Sequence, residues 1–107
     1  MRLTIRFDEE TPLGIGEAIE YLERLIEALD IKIASVRVRV FKIIGFDAAN
    51  RYYDCRNRAF NLCQILKARQ KKYDLDDDTP IESIYLGLMT SVLDRARALK
   101  LITLTRP

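Results

Sequence analysis

Residues 46–73 contain neither proline nor glycine, and this uninterrupted stretch constrains the fold more than any other feature of the sequence. It predicts one helix of roughly 25 residues, which at ~1.5 Å per residue is ~37 Å long. The whole chain has 107 residues, and a compact domain of that size has a radius of gyration near ~13 Å. We therefore expect a single domain, residues 1–107, that this helix spans or overruns.

Two alternating segments predict strands. Residues 2–7 place apolar and polar side chains in strict alternation, which is typical of a half-buried strand. Residues 35–44, SVRVRVFKII, also alternate and are rich in β-branched side chains, so we expect a second strand there. A helical continuation from Ile33 is the alternative for this segment. Residues 101–106 could add a short closing strand beside the first.

Helix starts are indicated where a threonine N-cap precedes a proline, at Thr11–Pro12 and at Thr79–Pro80. The first is followed by a helical apolar period over residues 13–29, with glutamates outside the apolar stripe. The second adds Glu82 as a capping-box partner and predicts a third helix. Together these patterns predict a small α+β domain of order β-α-β-α-α, with an optional final strand. In it, three helices pack on a two- or three-stranded sheet.

The long second helix predicts self-association. Its apolar positions follow the 4-3-4-3-4 spacing of a coiled-coil seam, and a chain of this size would struggle to cover so broad an apolar arc. We expect a homodimer or larger assembly through the second and third helices. The predicted interface residues are Tyr52, Arg56, Ala59, Leu62 and Leu66. Arg56 falls inside the arc, so it either extends its charge to solvent at the helix edge or pairs with a carboxylate across a subunit interface.

Charge is distributed unevenly along the chain. The net charge is +2, yet residues 8–30 carry −7 and residues 31–73 carry +9. Such a chain can attract an acidic partner, a basic partner or copies of itself. The basic positions predicted to contact nucleic acid or an acidic protein are Arg37, Arg39, Arg51, Arg58, Arg69 and Lys72.

Catalytic and cofactor motifs are weak. The chain has no histidine, which excludes every Ser-His and Cys-His mechanism. Gly14 and Gly16 open a predicted helix, but Ile19 stands where a dinucleotide loop has its third glycine, so close packing or a turn explains them better. The acidic run 74–78 has the first spacings of a calcium loop but lacks its glycine and its final glutamate, which favours a role at a helix start. We expect no enzyme activity, no cofactor and no metal.

The cysteines and the N-terminal residues indicate in which cellular compartment we expect the protein. Cys55 and Cys63 are eight residues apart in the predicted helix, ~12 Å, whereas the Cα atoms of a disulfide lie within roughly 7 Å. Both fall on the apolar side, which predicts buried free thiols. The N-terminal residues lack the apolar run of a signal peptide, so we expect a cytoplasmic protein without a membrane partner.

Two function classes remain. The favoured one is a non-catalytic interaction module, an adaptor, regulator or assembly subunit, that binds itself and another protein. The alternative is a small nucleic-acid-binding protein that uses the basic segment 31–73. Binding of labelled DNA or RNA that weakens steeply with salt would distinguish the second class from the first.

Overall fold

The computed structural model describes residues 2–8, 10, 13–40 and 46–105, with the side chains of 36–40 and 46–48 outside the description. It is a small α+β domain of three helices and one two-stranded parallel sheet. In chain order the elements are β1 (Leu3–Arg6), α1 (Ile15–Val40), α2 (Phe46–Lys72), α3 (Ser83–Ala98) and β2 (Ile102–Thr105). The long second helix and the closing strand therefore form as the sequence predicts.

One face of the sheet packs on the helices. Strand β1 pairs with β2 in parallel, with Leu3 opposite Ile102 and Ile5 opposite Leu104. Ile5 and Ile102 are buried in the hydrophobic core, whereas the alternate residues of β1 are exposed. Parallel sheets are usually covered on both faces. Here the uncovered face is polar, which explains why so small a parallel sheet can expose it.

The predicted second strand is wrong as far as the structure describes it. Helix α1 continues to Val40 and includes most of the alternating segment 35–44. Extending an existing helix adds one hydrogen bond per residue without a new nucleation step, and this outweighs the strand preference of the valines. Residues 41–45 lie outside the described part, as do Thr11 and Pro12, where the sequence predicts the first helix start.

The N-terminus of α1 is capped by a distant loop. The N–H groups of Ile15 and Gly16 donate to the carbonyl oxygens of Thr79 and Asp77, at 2.8 and 3.0 Å. A Cβ on Gly14 would lie 2.5 Å from the Asp77 carbonyl oxygen, and one on Gly16 would meet the Asp77 side chain at the same distance. The prediction that these glycines serve close packing is confirmed.

Helix α3 begins later than the capping box predicts. Its N-cap is Glu82, which makes no side-chain capping hydrogen bond. Pro80 instead forms an isolated bridge with Gly14, and the Ile81 N–H donates to the Leu13 carbonyl at 2.9 Å. The segment before α3 is thus used for long-range pairing with the start of α1.

One core cluster joins the three helices and the sheet. Helix α2 packs against α1 and α3. Of the predicted dimer seam, Ala59, Leu62 and Leu66 are buried in this cluster within a single chain. These three residues therefore belong to the core of the single chain, where α1 and α3 pack against α2. The free thiols of Cys55 and Cys63 are buried there too, as predicted.

Candidate interaction surface

A groove of about 580 Å³ runs between α1 and α2. Two ion pairs cross it, Arg56 with Asp30 (3.0 Å) and Lys67 with Glu23 (3.7 Å), and their order shows that the helices are antiparallel. The α1 wall carries acidic side chains and the α2 wall basic ones. The lining residues are Glu23, Ile26, Glu27, Asp30, Ile31 and Ala34 on α1, and Arg56, Phe60, Cys63, Gln64 and Lys67 on α2.

The groove also exposes large apolar side chains. Ile31 is 66% exposed and Phe60 is 38% exposed. The Arg56 guanidinium lies over the Phe60 ring, 4.9 Å from its centroid, while its Nε donates to Asp30 Oδ1 at 3.0 Å. Arg56 is therefore fixed on both sides, and its aliphatic stem and the ring together form an apolar floor between the charged walls.

Of the two alternatives for Arg56, the structure shows a carboxylate pair, but within the same chain. The sequence hypothesis placed the carboxylate across a subunit interface, whereas the structure pairs Arg56 with Asp30 of its own α1. Tyr52, another predicted interface residue, is half-buried and packs against the core. Arg56 is thus the one predicted interface residue that lines this groove.

The two thiols are poor nucleophiles. Burial raises the pKa of the Cys55 thiol to about 11, with the nearby Asp54 carboxylate adding to the effect. Burial raises the pKa of the Cys63 thiol as well. Both stay protonated at neutral pH, and the reactive form of a cysteine is the thiolate. Both cysteine side chains therefore act as small apolar packing groups.

The predicted basic residues do not form one free stripe. Arg58 pairs with Asp54 at 3.0 Å, and Arg69 pairs with Glu82. Arg51 is exposed, and Lys72 lies over the exposed Tyr73 ring, 5.3 Å from its centroid. Two more of the predicted positions, Arg37 and Arg39, belong to α1 instead of a strand, and their side chains lie outside the described part.

Three further large apolar side chains are exposed, Ile65 on α2 and Ile84 and Leu88 on α3. The Arg69–Glu82 pair joins α2 to the N-cap residue of α3, and Arg95 of α3 joins Asp54 of α2 at 3.5 Å. The order of these two ion pairs along the chain shows that α2 and α3 are antiparallel.

Sequence reasoning missed the groove because it treated each helix alone. Ile31 lies outside the apolar stripe of α1, and this misplaced isoleucine was the available signal. The proximity of Asp30 to Arg56 depends on how α1 and α2 align, which no local pattern encodes. Of the acidic run 74–78, Asp77 caps α1 through its carbonyl oxygen, together with that of Thr79. The described residues contain no cluster of three or more His, Cys, Asp or Glu arranged to hold a metal.

Comparison with known proteins adds no relative: no protein-family model matches the chain, and no curated protein or solved structure matches it either. Among the helices of the described residues, none is both long enough and apolar enough to cross a bilayer.

Proposed function

We propose that this chain is a non-catalytic protein-interaction module that forms a homodimer through the α1–α2 face. The observation that carries the proposal is the charge division of the groove. Its acidic side chains, Glu23, Glu27 and Asp30, belong to α1, and its basic side chains, Arg56 and Lys67, belong to α2. Because the acidic wall of α1 and the basic wall of α2 run side by side, the face is complementary to the same face of a second copy.

The complementarity requires one particular two-fold axis. When two copies meet face to face about an axis parallel to the helices, α1 of each copy lies over α2 of the other. Each acidic wall then meets a basic wall, at the same level along the helix axes. Because α1 and α2 are antiparallel, every pair of neighbouring helices in the resulting four-helix bundle is antiparallel too, as in common helical bundles. An axis across the helices would instead oppose acid to acid.

Apolar contact would supply most of the affinity. Buried aromatic and aliphatic anchors dominate protein interfaces, while charged rims mainly determine orientation and rate. Ile31 and Phe60 occupy the groove between the charged walls and are accessible in the single chain. They are the anchors in this proposal, and the interface lies on helices one and two instead of two and three.

The first experiment compares two isoleucines. Ile31 in the groove and Ile84 on α3 are both 66% exposed. Ile31→Arg and Ile84→Arg therefore introduce the same charged side chain at two equally exposed positions. We expect Ile31→Arg to weaken dimerisation at least about tenfold, because it buries an unpaired charge at the interface. Ile84→Arg should leave dimerisation unchanged. Sedimentation equilibrium over low micromolar to submillimolar protein measures both, and a wild-type chain that stays monomeric throughout refutes the proposal.

The second experiment tests the orientation. Glu23→Lys and Lys67→Glu should each weaken the homodimer, since each places like charges opposite one another on both sides of the axis. Mixed in equal amounts, the two variants should form heterodimers, because the altered acidic wall then meets the altered basic wall. Light scattering of the mixture against each variant alone gives the result. No recovery on mixing means that the two walls do not face each other.

Nucleic-acid binding is the second candidate, supported by the basic side chains around one ring. Arg69 and Lys72 both lie over Tyr73, which is 53% exposed. Cations beside an accessible aromatic ring can hold the phosphate and base of a single strand. Fluorescence anisotropy with a labelled single-stranded oligonucleotide at low salt tests this. We expect binding that weakens with salt and with Tyr73→Ala, and absence of binding eliminates the candidate.

A further inference from the structure

The hydrogen-bond register identifies which backbone groups of β1 have no strand partner among the described residues. The Leu3 N–H donates to the Leu101 carbonyl at 3.1 Å, and the Phe7 N–H donates to the Thr105 carbonyl at 2.9 Å. In a parallel ladder, alternate residues direct both backbone groups at the neighbouring strand. The backbone groups of Thr4 and Arg6, which lie between these residues, therefore point away from β2.

At the corresponding edge of β2 the outward backbone groups belong to Ile102 and Leu104. Ile102 is 2% exposed, so its backbone groups are buried, and Leu104 is half-buried. Thr4 and Arg6, in contrast, are exposed. Among the hydrogen bonds of the described residues, one reaches this edge: the Tyr21 hydroxyl lies 3.4 Å from the Arg6 carbonyl oxygen. Unpaired N–H and C=O groups along an accessible strand form a template for a further strand.

Charge determines which strand can add there. Arg2 and Arg6 are exposed and stand two residues to either side of Thr4, on the same face of β1. A second copy paired antiparallel about Thr4 would place Arg2 of each chain opposite Arg6 of the other, and like charges in directly opposite positions are destabilising. An acidic strand in the same position would form two favourable cross-strand pairs.

We propose that the edge of β1 binds an extended acidic segment of another protein by strand addition. The bound segment carries Asp or Glu opposite Arg2 and Arg6 on the solvent face, and apolar residues at the alternate positions, beside Leu3 and Ile5. Its backbone pairs with Thr4. A two-stranded sheet is marginal by itself, and a third strand adds the hydrogen bonds that such a sheet lacks. The inference is independent of dimerisation, since Thr4 and Arg6 do not line the α1–α2 groove.

The backbone test uses proline. The probe is a fluorescein-labelled peptide with the central sequence Glu-Val-Thr-Val-Glu, and its anisotropy is measured against the full chain. Thr4→Pro removes the outward N–H but no bond to β2, and proline is tolerated at such an edge position. Thr4→Val keeps the N–H and loses only the hydroxyl. We expect Thr4→Pro to weaken binding at least about tenfold and Thr4→Val to bind like the wild type. Thermal denaturation verifies that both variants fold.

The charge test uses a reversed peptide and a matched arginine. A Lys-Val-Thr-Val-Lys peptide should bind at least about tenfold more weakly than the glutamate peptide, and the Arg2→Glu, Arg6→Glu double variant should reverse that preference. Arg51→Glu, an exposed arginine on α2, is the control and should change nothing. Equal binding of both peptides, or unchanged binding by Thr4→Pro, overturns the proposal. A competing single-stranded oligonucleotide gives one more outcome. The proposal is overturned if the oligonucleotide displaces the peptide from the wild type and from Thr4→Val and also binds Thr4→Pro equally well. Contact with phosphate would then explain the exposed arginines without strand addition.

Discussion

Arg56 Nε donates a hydrogen bond to Asp30 Oδ1 at 3.0 Å, and this contact joins α2 to α1 across 26 residues of sequence. The same guanidinium covers the Phe60 ring. One arginine therefore fixes the register of the two longest helices and shields part of an aromatic surface. Both partners are partly accessible to water, with side-chain exposures of 30% and 53%, so the pair orients the helices more than it stabilises them.

The Arg56–Asp30 pair should contribute little free energy of folding. Exposed ion pairs measured by double-mutant cycles give roughly 0.2–1 kcal/mol. We expect a coupling energy in that range from Arg56→Ala, Asp30→Ala and the double variant, and about half of it or less in molar salt, because salt screens exposed charges. Urea denaturation at a concentration where the chain is monomeric measures it. A coupling above about 2 kcal/mol would contradict the exposed environment. Arg56→Met, which retains the stem over Phe60, separates packing from charge.

Gly14 and Gly87 should respond to substitution by alanine in opposite directions. At Gly14 a new Cβ would meet the Asp77 backbone carbonyl at 2.5 Å, and a backbone atom cannot rotate away. We expect Gly14→Ala to destabilise the fold by about 1–3 kcal/mol. Gly87, inside α3, has nothing within 4 Å of an added Cβ, so Gly87→Ala should stabilise by about 0.5–1 kcal/mol through helix propensity. Thermal melts of the two variants provide the comparison, and equal effects would show that the loop yields.

Local periodicity was sufficient for most of the elements. The alternation of residues 2–7 places β1, the helical apolar period places α1 and α3, and the Pro- and Gly-free stretch places α2. Burial follows these patterns closely, with Leu22, Leu25 and Leu29 fully buried on one face of α1. Such patterns work because each describes one face of one element meeting the core.

Apart from the strand predicted at residues 35–44, which is lost to the extension of α1, the failures involve partners that are distant in sequence. Ile81 pairs with Leu13, 68 residues away, so the capping box before α3 could not reveal that its residues serve the start of α1. The apolar arc of α2 is broad because two helices of the same chain cover it, and the sequence alone cannot distinguish these from a second subunit. A carboxylate pair was one of the two alternatives for Arg56, and its partner within the same chain was not predicted, for the same reason.

The buried thiol of Cys55 should make stability fall at alkaline pH. Burial raises its pKa from 9.0 to about 11 in the folded chain. Below pH 9 the thiol is protonated in both states, and its contribution is fully present. Between pH 9 and about 11 only the unfolded thiol ionises, so unfolding becomes more favourable, by about 2 kcal/mol at the upper end. The pKa of Tyr21 is also raised, mainly by burial and then by its hydrogen bond to Glu17. Ionisation of this tyrosine at alkaline pH therefore also lowers the free energy of unfolding.

Cys55→Ala isolates this contribution. Its loss of packing is independent of pH, so the free energy of unfolding should fall less steeply between pH 8 and 11 in the variant than in the wild type. Urea denaturation under reducing conditions at several pH values gives both curves. Parallel curves would mean that the folded-state thiol titrates like an ordinary cysteine.

The turn between α3 and β2 contains a strained residue that glycine should relieve. Lys100 has a φ of 62°, follows the C-cap Leu99, and donates its N–H to the Arg97 carbonyl, while the Leu101 N–H donates to the Ala96 carbonyl. This is a Schellman motif, whose left-handed position favours glycine. We expect Lys100→Gly to raise the free energy of unfolding by about 0.5–1 kcal/mol, since it removes the steric cost of that conformation. Lys71→Gly, near the end of α2, should lower it by a similar amount. A destabilised Lys100→Gly would show that the lysine side chain contributes a contact that outweighs its backbone strain.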